Sequence, residues 1–171
     1  MADVPGLMEI TEALLKARAT LFEQFHALDT RMIALARKDE RAGLLMTVPG
    51  VGPLVSLTFV SAIDDAGRFS SSRTVGAHFG LTQRKYQSGE TDITGRISKC
   101  GDRQVRTALY EAANTILTRP VKGSKLKSWA AKIALRSGMK KAKVALARKL
   151  AVVMHRMLVD GTCFDPALAA A

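Results

Sequence analysis

The segment Pro49-Gly50-Val51-Gly52-Pro53 cannot lie inside a helix or a strand. Each proline lacks a backbone N–H, and each glycine favours a turn. Apolar runs flank it on both sides, LLMTV before and LVSLTFV after. Two apolar segments joined by so short a bend must fold back on one another. If both are helical, the unit is a helix-hairpin-helix. Gly50 and Gly52 leave no side chain over the amides, so the N–H groups of Gly50, Val51 and Gly52 are candidates to hold a phosphate oxygen where the next helix begins. Such a contact grips a sugar-phosphate backbone and reads no base. The same pattern also suits a plain connector between core helices.

Elsewhere the pattern is helical. Leucines at 7, 14, 21, 28 and 35 repeat every seven residues, and Phe25 and Met32 widen the stripe. This predicts one long helix over 6–41 that pairs as a coiled coil or packs as an ordinary amphipathic helix. Arg18 interrupts the seam. Pro53 opens a helix over 53–64, Ser70-Ser71-Ser72 caps one over 72–80, and Asp102 caps one over 102–118. Further helices cover 127–137 and 139–159, closed by Asp160-Gly161. Residues 82–98 mix polar and β-prone types with glycines, which predicts an irregular loop or short hairpin. The fold class is therefore mainly α, a helix-hairpin-helix-containing helical domain over 44–161. A coiled-coil-like arm over 1–43 precedes it and a frayed tail over 162–171 follows.

Charge narrows the function. The 171 residues carry a net charge of +11, and nearly all of the excess lies in 96–159, where sixteen Lys and Arg face only Asp102 and Glu111. A block of that sign is the footprint of a polyanion partner. Within it, Lys99, Arg103 and Arg106 cluster at a helix start. Lys140, Lys141, Lys143, Arg148 and Lys149 back an apolar stripe of Val144, Leu146, Leu150, Val152 and Val153. Lys122, Lys125 and Lys127 flank Trp129, which suits either base stacking or a core anchor. With Arg84, Lys85 and Arg96 ahead of them, these are the candidate DNA contacts.

Other chemistry is sparse. His26, His78 and His155 and the cysteines Cys100 and Cys163 have no zinc-ligand spacing, so no metal site is expected. His78 precedes Ser88 by ten residues and is a candidate base. Asp39-Glu40 and Asp64-Asp65 read as caps or solvated charges. Neither a span of ~20 apolar residues nor a secretory leader is visible, which leads to the expectation of a cytoplasmic, nucleoid-associated bacterial protein without a membrane partner.

The strings VPGVGP, GRFSSSRTVGAHFGL, QSGE, GRISKCGDRQVRTALYEAA and KKAKVALARKLAVVMHRMLVDGTCFDP occur in that order. Together they resemble the C-terminal, serine-bearing domain of the bridge-RNA-guided insertion-sequence transposases, over roughly 44–166. The leucine helix resembles that family's coiled-coil segment. Gln83 departs from the proline the family often carries there. The resemblance implies that Ser88 attacks a DNA phosphodiester and becomes covalently linked; Arg84 and Arg96, near it in sequence, are candidates to stabilise the charge. The resemblance implies a guide RNA partner, and the leucine stripe favours a homo-oligomer. It also implies Mg²⁺ only on an acidic resolvase-like N-terminal domain that this sequence lacks, so no cofactor is expected in this chain and its active site is incomplete alone. A non-catalytic DNA- or RNA-binding helix-hairpin-helix module, a truncated remnant, is the alternative. An RNA-binding protein of ribosomal type is a third reading, which the leucine arm and the QSGE loop disfavour.

Overall fold

The computed structural model describes residues 6–88, 91–120 and 125–166, with the side chains of 91–94 left out of the description. The chain divides into two compact units, one ending at Leu35 and one beginning at Ala36. Among the described residues the architecture is mainly α, with seven helices, one short 3-10 turn and a two-stranded sheet.

In the first unit, α1 (Leu7–Lys38) presents its apolar stripe to solvent. Leu7, Leu14, Leu21, Leu28 and Leu35 are all exposed, as are Phe22 and Phe25. The expected helix over 6–41 is divided. Asp39 adopts an extended conformation and its carboxylate accepts from Ala42 N, so it ends one helix and caps the next, α2 (Glu40–Leu45). A side chain that bonds its own downstream amide competes with helix continuation at that point.

In the second unit, α3 (Pro53–Ile63), α4 (Ser72–His78), α5 (Arg103–Thr118) and α6 (Lys125–Ser137) lead to the long α7 (Met139–Asp160). Helix α7 is the centre, packing against α2, α4, α5 and α6. Its buried residues, Ala142, Leu146, Ala147, Leu150, Ala151, Met154, His155 and Met157, form a face wide enough to serve several neighbours. Small residues on that face let helices approach closely, and Gly76 of α4 lies where a Cβ would meet Arg148 Cγ at 2.8 Å. Phe59, Ile63, Phe79, Leu109, Ile116 and Leu126 complete the core. Each such side chain contributes about 1.5–3 kcal/mol on burial.

The expected caps form. Ser71 caps α4, Asp102 accepts from Gln104 N and Val105 N to start α5, and Gly161 closes α7 in the left-handed region. The segment expected as a loop or hairpin is an antiparallel ribbon of β1 (Gln83–Ser88) and β2 (Thr91–Ile97), with a register shift between Gln83 and Lys85. Every β1 residue is exposed. Residues 162–164, placed in the frayed tail, are tied down. Phe164 packs on the core and its N–H donates to Thr47 Oγ1 at 2.9 Å.

Candidate nucleic-acid interface

Eight of the cationic side chains named below border one groove of about 1850 Å³ between α4, α6, α7 and the root of the ribbon, which Arg156, Asp160 and Asp165 also line. Helix α7 contributes Lys140, Lys141, Arg148 and Lys149; α6 contributes Arg136; α4 contributes Arg73. Arg96 of β2 and Lys99 just after it border the same groove. The floor is partly apolar, with Trp129, Ile133, Val144 and Val152. Trp129 is half-buried against the core, and Lys149 Nζ sits 4.9 Å from its ring centroid. Cations on the rim over such a floor match phosphates with sugars or bases between them. Arg73 and Arg136 carry no local sequence signal; only the packing of α4 and α6 on α7 brings them here. Lys122 lies outside the described residues, and Lys127 Nζ donates to Arg119 O rather than standing free.

Beside this groove, Ser72 and His155 form a brace. His155 is buried, with Nε2 3.0 Å from Ala66 O and Nδ1 2.9 Å from Ser72 Oγ. A carbonyl can only accept, so Nε2 carries the proton and Nδ1 accepts from the serine hydroxyl. Phe69 meets the ring edge-on at 5.1 Å. Burial holds the imidazole pKa below its ordinary 6.5, against the smaller raising effect of the bond to Ala66. The arrangement ties the 3-10 turn Ala66–Arg68, α4 and α7 together behind the groove wall.

Several candidates have different roles from those expected. The bend at 49–53 packs on α5, where Gly50, at φ +82, would place a Cβ 2.6 Å from Ile116 Cγ1. Val51 is buried and its N–H donates to Val48 O at 3.1 Å, because the tight turn closes on itself. Gly52 lies at an open helix start, extended, with nothing within 4 Å of where a Cβ would stand and Pro53 next. The first-turn amides of α3 have no intrahelical acceptors and are the part of the bend suited to an anion. Arg84 does not reach along the ribbon toward Ser88, since its Nη2 donates to Ser98 O at the root, 3.0 Å away. Arg106 turns inward, its Nη1 bonding the carbonyls of Phe79, Cys100 and Gly101. Lys85 and Arg103 are exposed.

Ser88 is the last residue of β1, exposed, and pairs with Thr91. It stands five strand steps from Gln83, roughly 17 Å at ordinary rise. His78, the candidate base, packs its ring on Phe69 and Phe79 at the end of α4. Neither Ser88 nor the bend lines the groove; the ribbon connects them only through its root, where Gln83, Gly95 and Arg96 do. One carboxylate of each acidic pair is engaged: Asp39 and Asp65 cap helical turns, while Asp64 offers its backbone carbonyl to Arg41. Among the described residues no group of three or more His, Cys, Asp or Glu could hold a metal ion.

Residues 42–128 match the family described as Transposase IS116/IS110/IS902 family. The chain belongs to that transposase family. A transposase for insertion sequence element IS1111A of Coxiella burnetii is 33% identical over 126 residues, 73% of this chain and 35% of that protein. A transposase for insertion sequence element IS1328 of Yersinia enterocolitica is 29% identical over 162 residues, 94% of this chain and 48% of that protein. The chain thus spans half or less of the length of these curated relatives. The family match covers the bend, α3, α4, the ribbon and α5. No helix among the described residues is long and apolar enough to cross a membrane.

Proposed function

We propose that this chain is the nucleic-acid-gripping, serine-bearing part of an insertion-sequence transposase that acts on DNA. The observation that carries the reading is the groove, where cations from four separate elements share one surface at the ribbon root. They grip backbone phosphates of duplex DNA or of a guide RNA without reading sequence. The bend between α2 and α3 acts as a helix-hairpin-helix, with the open α3 start at Gly52 holding a further phosphate. The ribbon carries Ser88 outward to a scissile phosphodiester. There Ser88 Oγ bonds to phosphorus as the bond to a sugar oxygen breaks; the serine proton goes to solvent and the departing oxygen takes one up. The bond energy stays in the serine–DNA ester, so rejoining needs no nucleotide cofactor. Lys85 and Arg96, from opposite strands of the ribbon, supply positive charge along it.

The Mg²⁺ implied by the resemblance belongs, on that resemblance, with an acidic segment elsewhere in the transposase; of the described acids, Asp39, Asp65 and Asp102 are engaged as helix caps. The α1 seam pairs with a second copy. The test is covalent chemistry: a full-length transposase carrying this chain, incubated with target DNA and guide RNA, should give a protein–DNA adduct that survives denaturation. Ser88→Ala should abolish it; an adduct that persists removes the serine from this role.

The separation of Ser88 from the cationic groove favours a second reading, a DNA-binding module without chemistry of its own. Affinity for DNA without strand cleavage, with or without Mg²⁺, separates the two.

A further inference from the structure

The ribbon leaves the core through a single crossing, in which the chain entering at 79–82 passes the chain returning at 98–101. The two backbones are in contact. A Cβ on Gly80 would lie 2.2 Å from Cys100 O, and one on Gly101 would lie 2.1 Å from His78 O. Both glycines have positive φ, +66 and +74, so no side chain is accommodated at either. Two hydrogen bonds then lock the crossing, Ser98 N–H to Thr82 O at 2.8 Å and Lys99 N–H to Gly80 O at 3.1 Å, and Leu81 N–H ties the entering chain to α4 through Gly76 O at 2.8 Å.

Arg106 is the staple across it. Its Nη1 lies 3.2 Å from Phe79 O on the entering chain, and 2.8 and 3.0 Å from Cys100 O and Gly101 O on the returning chain. It reaches them from the first turn of α5, a helix anchored in the core by its neighbours Val105 and Leu109. Among the described residues no covering layer steadies β1 beyond this point, since every residue of that strand is exposed. A lone two-stranded ribbon has little stability of its own. Its direction is therefore decided at the root.

We propose that Arg106 is a positioning residue, which fixes the direction of the β1–β2 ribbon and through it the place of the Ser88 hydroxyl, and is not itself a phosphate contact. The consequence for chemistry rests on the reading of Ser88 as the nucleophile; the mechanical claim does not. On an arm of roughly 17 Å, a tilt of about 10° at the root moves the tip by about 3 Å. A misplacement of about 1 Å already costs on the order of 100-fold in rate.

The test uses the full chain with Cys100→Ser and Cys163→Ser, spin-labelled at Gln87→Cys on the ribbon and Lys132→Cys on α6. The distance distribution should be narrow in this parent and at least twice as broad with Arg106→Gln. It should narrow again with Arg106→Lys, whose ammonium also offers three donors. Arg106→Gln should leave the salt slope of duplex binding unchanged, whereas removing a residue that touches phosphate lowers it by about one. Ser88→Ala should leave the distribution as in the parent, so failure of the serine reading does not touch this result. An unchanged width with Arg106→Gln, or a slope reduced by about one, overturns the proposal. Amide exchange in the unmutated chain provides a check that needs no variant. Ser98 and Lys99 should exchange as slowly as the core of α5, and exchange at the rate of the exposed ribbon also overturns it.

Discussion

Gly50 and Gly52 are two positions apart and have different jobs. Gly50 has φ +82 and lies against Ile116 and the carbonyl of Ala112, so a side chain there meets both backbone strain and a packed helix. Gly50→Ala should destabilise the chain by about 1–3 kcal/mol. Gly52 is extended with open space around it, so Gly52→Ala should cost no more than about 1 kcal/mol, the loss of glycine's preference at the α3 N-cap. Denaturant unfolding of the two variants checks the difference, and it makes Gly52, rather than Gly50, the clean probe of phosphate binding at the α3 start. His155 carries a second prediction. Its pKa is lowered in the folded chain, so the unfolded chain binds the additional proton first as pH falls. The associated stability is complete above about pH 6.5 and is lost progressively below it, down to the lowered folded value. Denaturant midpoints should fall between pH 7.5 and pH 5, and His155→Gln should remove that part of the pH dependence. These three residues show the limit of local reading. Two adjacent-looking glycines in one motif, and one histidine on a predicted helix, acquire their roles from Ile116, Ala66 and Ser72, none of which the local pattern names.

At the scale of elements, the helices were largely legible because their signals are local. Asp102 two and three residues before its amide partners, Ser71 before α4, Pro53 at the first turn of α3 and Gly161 after α7 each act within one turn of chain. The ribbon was legible only as a polar, β-prone stretch, since every β1 residue is exposed and no alternation marks a buried side. The break at Asp39 was hidden by the leucine repeat, which continues to Leu35 and suggests an unbroken rod. That repeat makes its own prediction. Leu21 and Phe25 lie exposed on the α1 stripe, a surface that pairing with a second copy would remove from water. Leu21→Asp with Phe25→Asp should shift the chain toward monomer in sedimentation equilibrium and leave the unfolding transition of the second unit unchanged. A wild-type chain that sediments as a monomer at all concentrations rejects the pairing.

For the whole molecule the sign and site of charge matter more than any one side chain. The excess in 96–159 is visible in the sequence, but it does not say which cations share a face. The groove selects Lys140, Lys141 and Arg148 from α7 and adds Arg73 and Arg136 from distant positions. Replacing Lys140 or Lys141 by Gln should weaken binding about equally for unrelated duplexes and lower the salt slope by about one for each phosphate no longer neutralised. A weakening confined to one DNA sequence would show that these lysines read bases. The sequence by itself determined the helical elements and the turn between two apolar runs, because their signals lie within a few positions of one another, and the basic block and the family signature, because these depend on composition and order along the chain and not on packing. Tertiary structure alone decided that Arg84 and Arg106 turn to the ribbon root, that Val51 spends its amide on Val48, and that the groove, the bend and Ser88 occupy separate places. The physical reason is that a hydrogen-bond donor takes the acceptor that folding puts within reach. For Arg106 that includes a carbonyl 27 residues away, which no spacing rule along the chain contains.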